Sequence, residues 1–181
     1  MPNPRLVLCS VSLLTLLPNI SFAQLSVTTI GATEASACYQ DASNSLTHDT
    51  GNCDAALKGG DLMRSDEKKT LVNRGVILNR AGAFEDARAD FDAAIAIDDS
   101  LAEAYLNRGN SFYLAKRFDA ALVDYDRALA LAITKPWAAW YNIGLVYEAT
   151  KKPDMAREAF QNALNANPEF TQAQQKLEKL R

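Results

Sequence analysis

Few side chains in this 181-residue sequence could do covalent chemistry. The single histidine, His48, sits in the polar stretch SNSLTHDTGN with no nucleophile at a readable spacing, and it reads as a surface-loop residue. Cys38, Cys53 and His48 do not form a recognisable zinc spacing, and the glycines mark turns and packing rather than a phosphate loop. No catalytic residue, cofactor or metal site is therefore expected. A formal net charge of -3 also gives no basic field to collect nucleic acid. The remaining chemistry is that of amides. Asparagine recurs in NRG at Asn73, in NRG at Asn107 and in NIG at Asn142. A carboxamide carries an acceptor and donors on one planar group, so it can bond the N–H and C=O of a peptide backbone whatever its side chains.

These tripeptides belong to a longer repeat. Gly75 and Gly109 are 34 residues apart, and Gly109 and Gly144 are 35 apart. In that register large residues recur at Leu71, Tyr105 and Trp140, at Leu78, Phe112 and Tyr147, and at Phe91, Tyr125 and Phe160. Small ones recur at Ala87, Ala121 and Ala156, and at Ala94, Ala128 and Ala163. Apolar spacing of three to four residues within each unit predicts two amphipathic helices, broken near Gly82, Lys116 and Lys152. Neither helix buries its apolar face alone, so the units must stack.

The pattern Trp140, Gly144, Tyr147, Ala156, Phe160, Ala163 and Pro168 resembles the tetratricopeptide repeat (TPR), with departures at Asp99 and Ile133 where a closing proline is expected. The resemblance implies an all-α, right-handed superhelical solenoid of antiparallel helix pairs. Its units run about 68–101, 102–136 and 137–168 within 67–168, and a capping helix follows in 169–181. It also implies that one helix per unit lines a concave face. That face should carry Asn73, Asn107 and Asn142 as a ladder among Val72, Val76, Leu106, Asn110, Tyr113, Tyr141, Leu145 and Glu148. The asparagines could grip an extended peptide or bond their own scaffold. TPR domains that capture acidic C-termini use lysines and an arginine, but the matching places hold Val72, Glu103, Ala138 and Asn142, so carboxylate capture is not expected.

Arg74 and Arg108 are each followed sixteen residues later by an aspartate, Asp90 and Asp124, whereas Ile143 is followed by Ala159. Both members change together, as expected of an interhelical ion pair replaced by an apolar contact. The resulting expectation is a non-catalytic adaptor that binds a peptide or protein in its groove. The other reading is a structural subunit that assembles with itself or an envelope complex through its stack ends or outer face.

The N-terminus follows a different plan. Arg5, the apolar run LVLCSVSLLTLLP and the small residues Ser21 and Ala23 form a secretory signal pattern over 1–23, whose apolar run ends in proline and is too short to span a bilayer. A periplasmic or secreted location without later membrane insertion is expected, and in such a compartment Cys38 and Cys53 favour a disulfide over two buried free thiols. CDAAL at Cys53 resembles FDAAI at Phe91, which makes 24–66 a degenerate leading helix pair with its first helix near 33–41 and a connection over 43–52. N-terminal sequencing of exported protein should start at Gln24; an intact Met1 on cytosolic protein would contradict export.

Overall fold

A computed structural model describes residues 23–27 and 33–180, so the expected leader lies outside it except for Ala23. The helices are α1 (Thr33–Ser43), α2 (Gly51–Gly59), α3 (Arg64–Arg80), α4 (Phe84–Ile97), α5 (Ala102–Leu114), α6 (Phe118–Ala130), α7 (Pro136–Ala149), α8 (Pro153–Ala166) and α9 (Thr171–Lys179). There is no strand among the described residues. The chain is an all-α solenoid of helix pairs. Consecutive helices pack together, and α3 also meets α5 and α5 meets α7. No comparable contact joins α4 to α6 or α6 to α8 among the described residues. The first helices of the units therefore crowd one side and make it the concave face.

Steric slots hold each pair together. A Cβ added to Gly75 or Gly109 would lie 2.6 Å from a ring carbon of Phe91 or Tyr125, so the glycine gives the aromatic ring its space. Those rings and Phe160 are fully buried, as are Ala87, Ala121 and Ala156. The intra-unit turns use a left-handed residue at equivalent places, Gly82 at φ 81°, Lys116 at φ 58° and Lys151 at φ 58°.

Two boundaries differ from the sequence reading. Helix α3 starts at Arg64, before the expected start near 68, because Asp66 and Glu67 occupy its first turn and favour the helix N-terminus. The link between α1 and α2 is 44–50, shorter than expected, with Asn44 and Asp49 side chains accepting from the N–H groups of Leu46 and Gly51. Where a proline is missing after α4, Asp98 accepts from the Ser100 N–H at 3.0 Å and ties the turn. The Lys68 ammonium, with the Ser100 hydrogen bonds, holds the Asp98 carboxyl down at about 2. Cys38 and Cys53 form a disulfide between α1 and α2, buried beside Ala42 and Ile77.

The two arginines do more than join one helix pair. Arg74 donates to both Asp90 oxygens at 2.8 and 2.6 Å and to Asp54 of α2 at 2.7 Å. Arg108 repeats this with Asp124 at 2.8 and 2.7 Å and Asp92 of α4 at 2.6 Å. Each guanidinium thus joins both helices of its unit to the unit before it. These hydrogen bonds push the guanidinium pKa values upward. Burial pushes the Asp90 and Asp124 carboxyls up, against the pull of the arginines. The pairs are therefore not surface ion pairs, as their aspartates are almost wholly buried. In the third unit Ile143 and Ala159 are both buried at the same place.

Replacing Arg108→Ile alone would strand the buried Asp124 carboxylate and should cost about 3 kcal/mol. The double change Arg108→Ile with Asp124→Ala, which copies the third unit, should cost less than that single change in denaturant unfolding. A double variant less stable than Arg108→Ile would contradict the apolar-replacement reading.

Candidate functional site: a carboxamide ladder and its occupant

Residues 23–27, AQLSV, run along the concave face without helix or strand assignment, and the asparagines bond them at every second residue. At the first unit, Asn73 Oδ1 accepts from the Val27 N–H at 2.8 Å and Asn73 Nδ2 donates to the Val27 carbonyl at 2.9 Å. At the second, Asn107 does the same for Leu25 at 3.3 and 2.8 Å. At the third, Asn142 accepts from the Ala23 N–H at 3.4 Å and donates to its carbonyl at 3.2 Å. The segment runs opposite to the order of the repeats.

The geometry follows from two regularities. An extended residue presents its N–H and C=O on the same edge, and the next residue presents its own on the other. Each unit brings one carboxamide to the same height of its first helix. One planar amide therefore meets one peptide edge per repeat, as a neighbouring strand would. Side chains settle around this contact: Ala23 and Leu25 pack on the core of the later units, and Val27 on that of the first. Gln24 Oε1 accepts from Arg80 Nε at 3.4 Å, and the Ser26 and Ser43 hydroxyls lie 3.0 Å apart. Arg80 also donates to the Asp41, Ala42 and Asn44 carbonyls at the end of α1, so the even-numbered residues face the leading helix pair. Burial moves the Arg80 pKa downward.

The ladder rungs are unequal. The described side-chain hydrogen bonds of Asn73 and Asn107 all go to the segment. Asn142 also donates to Asn110 Oδ1 at 2.8 Å, and that oxygen accepts from the buried Tyr125 hydroxyl at 3.0 Å. Asn110 Nδ2 then reaches the Ala23 carbonyl at 3.2 Å. Asn110 is consequently both scaffold and groove. A sequence signal existed for this: where the second unit has Asn110 and Tyr125, the first has Val76 and Phe91 and the third Leu145 and Phe160.

The other expected groove residues are placed as follows. Val72, Val76, Leu106 and Leu145 are buried in the core. Tyr113 stacks edge-on with Phe118, and Tyr141 meets Phe160 and Phe170, so these rings serve packing. Burial raises the pKa of both phenols. Glu148 pairs with Lys176 of α9, which ties the terminal helix to the third unit. His48 is exposed on the α1–α2 link. The sequence reading did not identify Asp54 and Asp92, although both directly follow the matched Cys53 and Phe91. It also missed AQLSV as an occupant, although its alternating apolar residues are a strand-like signal in a helical chain.

The tetratricopeptide repeat sequence pattern matches residues 102–132 and 137–170. Protein bimA of Emericella nidulans is 32% identical over 78 residues, covering 43% of this chain; the chain spans only 10% of that protein's length. The crystal structure of MamA superposes with a TM-score of 0.64 at 24% identity, covering 83% of this chain and 84% of that one. The first TPR of Spaghetti (RPAP3) bound to the HSP90 peptide SRMEEVD gives 0.59 at 22% identity, covering 64% and 91%. Two units of this chain thus match the tetratricopeptide repeat pattern, and its helix-pair solenoid is the fold of these structures.

Asn110→Ala leaves the Tyr125 hydroxyl without its acceptor and should destabilise the fold by about 1–3 kcal/mol, whereas Asn107→Ala loses only its bonds to Leu25 and should cost about 0.5–1.5 kcal/mol. Chemical denaturation compares the two. An equal or larger loss at Asn107 would make that residue scaffold.

Proposed function

We propose that this chain is an exported, non-catalytic adaptor whose concave face grips a peptide or protein segment in extended conformation. The observation that carries this reading is the pairing of one asparagine carboxamide with one peptide edge at successive repeats. Backbone bonding supplies grip without demanding a particular sequence, and the apolar floor supplies contact area. Spaghetti (RPAP3) was solved with an acidic HSP90 peptide. Here Val72, Glu103 and Ala138 give no cationic clamp, so the partner is held along its backbone rather than by a terminal carboxylate.

The test uses peptides selected from a random display library on the purified wild-type protein. Asn73→Ala with Asn107→Ala removes both rungs whose side chains bond nothing else among the described residues, and should weaken the selected peptides at least tenfold while the helical circular dichroism is kept. Unchanged affinity would move the binding surface off the concave face.

A further inference from the structure

Resting on this peptide-groove reading, the structure carries a sharper statement about what the groove recognises and how it is guarded. We propose that residues 23–27 are a built-in competitor: the groove takes extended peptides with apolar residues at every second position, read two residues per repeat, and a partner enters by displacing this segment.

The register supports the rule. Val27, Leu25 and Ala23 meet Asn73, Asn107 and Asn142 in turn, with one intervening residue at each step. Two extended residues advance about 6.6 Å, the step that the inner face must match from one unit to the next. The same alternation that aims these backbone groups at the ladder leaves Ala23, Leu25 and Val27 packed on the core clusters. An incoming peptide must reproduce both features to replace the segment. Gln24 and Ser26 make contacts peculiar to this chain, with Arg80 and Ser43. They favour its own segment without defining the general ligand.

Only residues 28–32 separate the segment from α1, so its effective concentration at the groove is of millimolar order. A segment whose intrinsic affinity is about 0.1 mM would then suppress an incoming peptide about tenfold by competition in cis. Cleavage after Ala23, expected from the sequence, would withdraw the residue at Asn142 while keeping Leu25 and Val27. The exported chain would hold two rungs and offer the third as the place where a partner starts to enter.

The probe is fluorescein-labelled AQLSV peptide, acetylated or amidated at its free end, titrated by fluorescence anisotropy into purified wild-type protein and into Leu25→Asp/Val27→Asp. The variant should bind about tenfold more tightly than wild type, and adding Asn73→Ala and Asn107→Ala to it should abolish the gain. Leu25→Gly/Val27→Gly repeats the comparison should the charged variant misfold. Equal affinity for wild type and a folded released variant overturns the built-in competitor; if library-selected peptides still bind through Asn73 and Asn107, the groove reading survives. Failure of the released variant to bind either the probe or the selected peptides overturns both. Sedimentation that shows a wild-type dimer lost in the released variant would place the segment in a second copy's groove and overturn competition in cis.

Discussion

A carboxamide buried on the inner face of a helix must find both a donor and an acceptor, because leaving either unmet costs as much as several ordinary contacts contribute. Three such groups recur here with the repeat, and all three are fully shielded from solvent. The N–H groups within the helices cannot supply the donors these acceptor oxygens need, since they are already paired along the helix. An extended segment can, because it brings a free N–H and a free C=O to the same edge at every second residue. The groove and its occupant are thus complementary halves of one hydrogen-bonding requirement.

That requirement works only if the asparagines stand at a fixed spacing, and the scaffold provides this through two sets of contacts. Glycine against an aromatic ring brings the helices of a unit together at Gly75, Gly109 and Gly144. The guanidiniums of Arg74 and Arg108 join each unit to its predecessor. Beyond the second unit the polar staple gives way to Ile143 and Ala159, and the carboxamide chain from Asn142 through Asn110 to Tyr125 takes up the inter-unit connection. One end of the groove is therefore built for holding and also for framework. At the other end the described side-chain hydrogen bonds of Asn73 and Asn107 all go to the segment.

Much of this was legible in the sequence because it is repeated. Gly75, Ala87 and Phe91 announce themselves by recurring in register, and Arg74 with Asp90 by changing together with their counterparts Ile143 and Ala159. The disulfide was legible from an even pair of cysteines, Cys38 and Cys53. What does not repeat was harder to read. AQLSV occurs once, at the junction between the expected leader and the leading helix pair, and five residues of alternation do not reveal which surface they cover. The reach of Arg74 and Arg108 to Asp54 and Asp92 of the preceding unit was also hidden, because it crosses from one unit to another.

The whole arrangement turns on the ladder bonding alternate residues of an extended backbone. Amide hydrogen exchange, resolved residue by residue by NMR, tests it most directly. Leu25 and Val27, whose N–H groups donate to Asn107 and Asn73, should exchange slowly, while Gln24 and Ser26 between and beside them exchange fast. Uniformly fast exchange from Gln24 to Val27 would contradict the ladder.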